Sequence, residues 1–161
     1  MDLRPPSHRV SPRAKRYWAV RAALGWLVIV ALELVLGLTA WPWLGDALPI
    51  LLPITVVVAA AHVIVMPQWR FHVHRWESTD TAVYTQSGWF DQERRIAPLS
   101  RIQTVDTERG PFEQLFALAT VTVTTASAAG PLKIHGLGAD VAEELVDRLT
   151  TVAAAARDDA T

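Results

Sequence analysis

The sequence predicts an α+β membrane protein: a two-helix transmembrane hairpin, then a small β-rich domain closed by one C-terminal α-helix. Three observations carry that expectation. Two stretches near the N-terminus, 22–41 and 47–67, hold a single charged residue between them, Glu33. After Gln68 the pattern changes to short alternating apolar and polar runs bounded by turn residues, the mark of strands. The chain then finishes in an amphipathic helical pattern.

Each apolar stretch runs to about 20 residues, which at roughly 1.5 Å per residue crosses a hydrocarbon core of about 30 Å. The spacing therefore predicts spans over about 20–41 and 48–67, inside a hairpin of residues 19–67. A signal peptide is the competing reading of the first span, because Arg13, Lys15 and Arg16 precede it. Its length, Leu38 at the place where a small residue should precede cleavage, and the second span directly behind it argue against that. A buried soluble helix is the competing reading of the second. Val56-Val57-Val58-Ala59-Ala60-Ala61 is apolar on every face, however, and leaves no polar stripe for water.

Charge sets the expected orientation. Arg4, Arg9, Arg13, Lys15 and Arg16 crowd a basic N-terminal tail, residues 1–18, Arg21 follows just before the apolar stretch, and Arg70 and Arg75 follow the second span, while 41–46 carries no basic residue. Both termini are expected in the cytoplasm of a multi-pass cell-membrane protein. Tyr17, Trp18 and Trp69 mark one interface and Trp41 and Trp43 the other. Pro42 and Gly45 suit the tight turn, and Pro49 suits the first turn of the second span.

Glu33 lies roughly 12 Å deep, where an ionised carboxylate facing lipid would cost on the order of 2.5 to 3.5 kcal/mol. Counting the same depth along the second span reaches Thr55, which is therefore the expected intramembrane partner. His62 is closer to the cytoplasmic boundary and is expected at the interface.

The chain has no cysteine, which removes disulfides, thiolate catalysis and Cys-ligated zinc. From Trp69 onward nine basic residues face thirteen acids, so the domain is acidic and no nucleic-acid partner is expected. The basic tail beside a span is explained by anionic headgroups.

Within the domain, residues 69–77 and 81–86 are expected as strands about the turn Ser78-Thr79-Asp80, followed by 89–96 after Gly88. In 119–125, Val121 and Val123 are expected on a core face and Thr120, Thr122 and Thr124 in water. The turn Ala128-Ala129-Gly130 leads to 131–135, with Leu132 and Ile134 inward and Lys133 and His135 outward. The final helix should bury Val141, Leu145, Leu149 and Val152, with Asp140 and Glu143 as an N-terminal capping pattern. The domain is thus expected over 68–156, with a frayed tail at 157–161. Short strands and one amphipathic helix suggest a small barrel or strongly bent sheets whose open end the helix covers.

The run Arg95-Ile96-Ala97-Pro98-Leu99-Ser100-Arg101-Ile102-Gln103-Thr104-Val105, then Gly110-Pro111-Phe112-Glu113-Gln114-Leu115-Phe116-Ala117-Leu118-Ala119-Thr120-Val121 and Ile134-His135-Gly136-Leu137, resembles the YdbS-like bacterial membrane proteins that carry a pleckstrin-homology-like (PH-like) domain. The resemblance covers most of the chain and includes the two-span hairpin. It implies a PH-like β-barrel of about seven strands capped by a C-terminal α-helix, without established enzymatic chemistry. It also implies work beside a longer membrane protein with tandem domains of this type, in envelope-stress defence. Ala117 departs from the family pattern, which has glycine there.

Three function classes follow. A membrane-anchored module for protein–protein assembly ranks first, with another PH-like membrane protein or a second copy as partner; a subunit of a transporter or channel complex ranks second; an enzyme ranks last. A lipid-binding module is a further alternative. Specific phosphoinositide recognition is not expected, because the loop Glu77-Ser78-Thr79-Asp80-Thr81 would repel phosphate. Arg94, Arg95 and Arg101 are the candidate contacts to headgroups or a partner. His72 and His74 would share one strand face, but two imidazoles without a third ligand make no metal site. No catalytic, cofactor or metal residues are expected, since no nucleophile elbow, phosphate loop or inward carboxylate pair is present.

Overall fold

The computed structural model describes residues 4–39, 46–89, 91–127 and 130–158. Two long helices, α1 (Arg13–Thr39) and α2 (Leu48–Val73), pack antiparallel as a hairpin. Their apolar side chains point outward: Leu27, Val28, Leu38, Ile50, Val57 and Ile64 are all exposed. A core helix of a soluble protein would bury that surface, whereas lipid accepts it and the helical backbone satisfies its own hydrogen bonds. Pro49 lies in the first turn of α2, where its missing N–H removes no helix bond. The expected turn residues Trp41, Pro42, Trp43 and Gly45 lie outside the described residues.

Beyond the hairpin the strands form two antiparallel sheets. One has the order β1-β2-β3-β4, comprising β1 (His8–Arg9), β2 (Arg75–Ser78), β3 (Ala82–Gly88) and β4 (Gln92–Pro98). The other has the order β5-β6-β7, comprising β5 (Ile102–Glu108), β6 (Leu118–Thr125) and β7 (Leu132–Gly138). A 3-10 turn, Leu99–Arg101, passes the chain from β4 to β5, and a short helix, α3 (Pro111–Leu115), joins β5 to β6. The C-terminal helix α4 (Ala139–Asp158) packs on β5, β6, β7 and the 3-10 turn. This is the expected two-span hairpin followed by a seven-stranded α+β domain with a C-terminal helix. Among the described residues, strand pairing does not close the two sheets into a continuous barrel. One edge is bridged instead by a single backbone bond, Ser11 N–H to the Gly136 carbonyl, at 2.8 Å.

The N-terminal tail is part of this domain. His8 pairs with Trp76 and Arg9 with Arg75, so β1 becomes the outer strand of the first sheet. Ser7 N–H and the Arg4 guanidinium both bond the Glu77 carboxylate, and the Ser7 bond chiefly holds that carboxyl below its ordinary value. The hairpin is thereby inserted between the first and second strands of the domain that it anchors.

Two cores result. Val83, Leu99, Ile102, Val121, Val123 and Ile134 pack between the sheets and against Leu145 and Leu149 of α4. A second cluster joins Val10, Ala14, Tyr17 and Trp18 to Phe71 and Leu118, and partly buried Trp76 touches both.

Four expectations need correction. Residues 69–73 are the last turn of α2, not strand. The alternation of Trp69, Phe71 and Val73 with Arg70, His72 and His74 mimics a period of two, but Pro67 and Phe71, one helical turn apart, are both buried. The threonine face of β6 is also covered: Thr120 and Thr122 are buried, because β6 is the central strand and its neighbours place Asp106, Glu108 and Lys133 beside them. The buried stripe of α4 is Ala142, Leu145, Leu149 and Ala153, with Val141 exposed and Val152 half-buried, since small alanines let the helix sit close. Asp140 belongs to the first turn of α4 instead of preceding it, and the helix runs through Asp158, with only 159–161 of the expected frayed tail outside the described residues. Ala117 has a φ of 50°, the left-handed region in which glycine is least strained, so the family's glycine has a conformational reason.

Val121 is fully buried, and Val121→Asp should cost several kcal/mol in thermal unfolding of the detergent-solubilised protein. Thr122 Oγ1 is buried without a hydrogen-bond partner, so the near-isosteric Thr122→Val should be neutral or about 1 kcal/mol more stable. Equal losses from the two variants would contradict the assignment of the β6 faces.

Candidate functional site

Polar chemistry concentrates along one seam of the hairpin and where that seam meets the domain. Three rungs cross from α1 to α2. Deepest, the Thr55 hydroxyl donates to Glu33 Oε1 at 2.6 Å, while Glu33 Oε2 is buried without a partner. Nearer the domain, the Trp26 indole N–H donates to His62 Nδ1 at 2.9 Å. At the boundary the Arg70 guanidinium lies 4.8 Å from the centroid of the Trp18 ring. Successive rungs are seven and then eight residues apart on both helices, so near two-turn spacing keeps them on one facing stripe. Helix packing thus brings Glu33 and Thr55 together, and it adds the Trp26–His62 contact, which no sequence feature had pointed to.

Beside the last rung lies a cavity of about 390 Å³ between the hairpin and the domain. Tyr17, Trp18 and Arg21 of α1, Met66 and Arg70 of α2, and His135 of β7 line it. Arg21 donates to the Tyr17 hydroxyl at 3.0 Å, one helical turn away. The close approach of α1 to β7 depends on Gly136: its φ is +76°, and a Cβ there would meet the Ala14 Cβ at 3.0 Å. His135 Nδ1 lies 3.3 Å from the Thr120 hydroxyl, which donates to Glu113 Oε1 at 2.8 Å. Burial, and then the cations of Arg70 and Lys133, push the His135 imidazole below its ordinary value.

His72 and His74 do not form a pair on one strand face. His72 sits in the last turn of α2 and its Nδ1–H donates to the Gln68 carbonyl at 2.7 Å. His74 follows the helix, is buried, and donates its own Nδ1–H to the Arg70 carbonyl at 2.9 Å. Its ring lies against Trp18, the centroids 5.1 Å apart and the planes tilted by 55°. Desolvation, reinforced by the Arg70 cation, lowers the His74 pKa to about 4, so this ring is neutral at physiological pH. Among the described residues no group of three or more His, Asp or Glu side chains is placed to hold a metal ion.

The arginines singled out from sequence lie elsewhere. Arg95 donates to the Gly130 and Pro131 carbonyls at 2.7 and 2.6 Å, tying β4 to the turn before β7. Arg94 and Arg95 line a cavity of about 340 Å³ beside that turn, whereas Arg101 is exposed on the 3-10 turn and outside its lining. Sequence reasoning placed Arg21 and Arg70 on either side of the hairpin as orientation signals and missed their convergence. The available signal was Tyr17 and Arg21, four apart on a helix start, facing a basic residue just past the second span.

Comparison with known proteins agrees with this architecture. The chain matches the bacterial PH domain family over residues 19–152. It is 29% identical over 159 residues to the transmembrane protein YdbS of Bacillus subtilis (strain 168), covering 96% of this chain and 97% of that protein. No solved structure matches it.

Two predictions test this geometry. Because the folded His74 pKa lies below its unfolded value, the unfolded chain binds more protons between pH ~6.5 and ~4. Stability is therefore complete above that window and falls as the pH drops through it, by up to about 3 kcal/mol. The downward shift of His135 has the same sign. Thermal unfolding from pH 7 to 4 should show the loss, and His74→Gln should flatten it. In the hairpin, Glu33→Gln keeps a hydrogen bond to Thr55, whereas Glu33→Leu should loosen helix association by about 0.6 to 2 kcal/mol, read by interhelical cross-linking in native membranes.

Proposed function

The chain belongs to the bacterial PH domain family, and from that premise we propose that it is a non-enzymatic, membrane-anchored module mediating protein–protein assembly at the inner face of a bacterial membrane. The basic tail and the arginines after the second span support cytoplasmic termini, with the domain held against the inner leaflet. The partner in this reading is another membrane protein with PH-like domains or a second copy of this chain, and envelope-stress defence is the setting that kinship suggests.

One observation carries the proposal. Strand β5 is seven residues long, lies at the edge of its sheet, and pairs only with β6 among the described residues. Gln103, Thr104, Asp106, Thr107 and Glu108 are exposed along it, and α4 packs alongside. An open strand edge flanked by a helix offers main-chain hydrogen bonds to an added strand and a helix wall for its side chains. Confinement to one membrane surface raises the effective concentration of such a partner, so modest intrinsic affinity suffices. The deep polar groups favour this reading over ion passage, because the Glu33 and His62 side chains are engaged by the other helix of the hairpin.

A photoreactive residue placed at Thr107 should cross-link in native membranes to a protein with PH-like domains or to a second copy. The same probe at Gln92 on β4 should capture neither. Capture at Gln92 alone would move the interface to the other sheet, and a protein that captures nothing and purifies alone would remove the assembly reading.

A further inference from the structure

The boundary cavity holds a charge arrangement that the hairpin and the domain neutralise only in part. Arg21 and Arg70 both line it, and each guanidinium lies within the electrostatic reach of the other. Among the described residues neither forms an ion pair with a carboxylate: Arg21 bonds the Tyr17 hydroxyl, and Arg70 rests on the Trp18 face. The acid in the lining, Glu113, is held by neutral donors, with Oε2 accepting from Gly110 N–H at 2.9 Å and Oε1 from Thr120, so its charge offsets at most one of the two guanidinium charges. Arg70 is half-buried, so water screens the repulsion only in part. Two adjacent guanidinium groups with unspent N–H donors call for an anion with several oxygens, the geometry that phosphate esters provide.

Position narrows the source. Tyr17 and Arg21 immediately precede the apolar stretch that opens at Ala22, and Arg70 follows the stretch that closes at Pro67. The lining runs from Ala22, His62 and Met66 on the membrane side to Arg21, Arg70 and His135 on the domain side. Its volume of about 390 Å³ suits a headgroup, since small-ligand sites measure roughly 300–1,000 Å³. We propose that this cavity binds the phosphate of a membrane phospholipid, with Arg21 and Arg70 clasping its oxygens and the acyl chains rising past Met66 along the hairpin. The site differs in place from the loop between β2 and β3, whose acids disfavour phosphate, and it does not depend on the β5 edge.

The test uses the full-length protein in a neutral detergent, titrated with dioctanoyl phosphatidylglycerol, dioctanoylglycerol or sodium phosphate, with thermal unfolding and native mass spectrometry as readouts. The phospholipid should raise the unfolding midpoint and appear as a bound mass, whereas the diacylglycerol should do neither. Arg21→Gln and Arg70→Gln should each weaken phospholipid binding by about tenfold or more, while Arg148→Gln, on the exposed face of α4, should leave it unchanged. Arg70 also supports Trp18, so if Arg70→Gln unfolds, Arg21→Gln and Arg70→Lys carry the comparison. Equal effects of diacylglycerol and phospholipid, or undiminished binding by Arg21→Gln, would overturn the site. Equal effects of inorganic phosphate and phospholipid at matched concentration would overturn the lipid assignment in favour of a soluble phosphate.

Discussion

The pairing of β1 with β2 is the constraint on which the rest of the molecule depends. Only two residue pairs form this ladder, His8 with Trp76 and Arg9 with Arg75, too few to persist alone in water. They hold because their surroundings are buried: Val10, Ala14, Tyr17 and Trp18 pack on Phe71 and Leu118, and Ser11 bonds Gly136 on the second sheet. The same contacts cover the outer edge of β2, which would otherwise offer open backbone groups. Since β1 lies three residues before α1 and β2 follows α2 directly, the domain is held to both helices. Its orientation to the membrane follows from packing, with no free linker on either side.

The hairpin continues this arrangement upward. Trp18–Arg70, Trp26–His62 and Glu33–Thr55 form a seam in which every contact places a polar or cationic group against a partner on the other helix. Apolar side chains gain little from meeting each other in lipid, because the acyl chains are as apolar as they are. Polar rungs therefore set the register that apolar packing alone leaves loose. The lowest rung is shared with the domain, since Trp18 also packs against the His74 ring and belongs to the second core.

Features governed by long-range composition were legible in the sequence. Both spans, the β6–β7 hairpin with Leu132 and Ile134 buried, and the C-terminal helix follow from apolar length or periodicity, and the quoted motifs pointed to the family. Equal depth counting also led from Glu33 to Thr55. What the sequence hid depends on tertiary partners. Residues 69–74 alternate like a strand, yet the helix continues because Phe71 is buried against α1 and the tail. Thr120 and Thr122 look solvent-facing until β6 is known to be the central strand. The cationic pair at the cavity joins residues 49 positions apart, and only the fold brings Arg21 and Arg70 to one place.

Insertion of the hairpin between β1 and β2 has a consequence for biosynthesis. His8 leaves the ribosome well before Trp76, and the intervening chain is almost entirely the two helices that must enter the bilayer. The first strand therefore stays unpaired until both helices have been made and their domain-side ends meet. A chain whose second helix failed to pack on the first would leave the β2 edge and the Phe71 pocket uncovered. Completion of the domain thus depends on a correctly formed hairpin, and a chain that lacks one presents its error as exposed sheet edge.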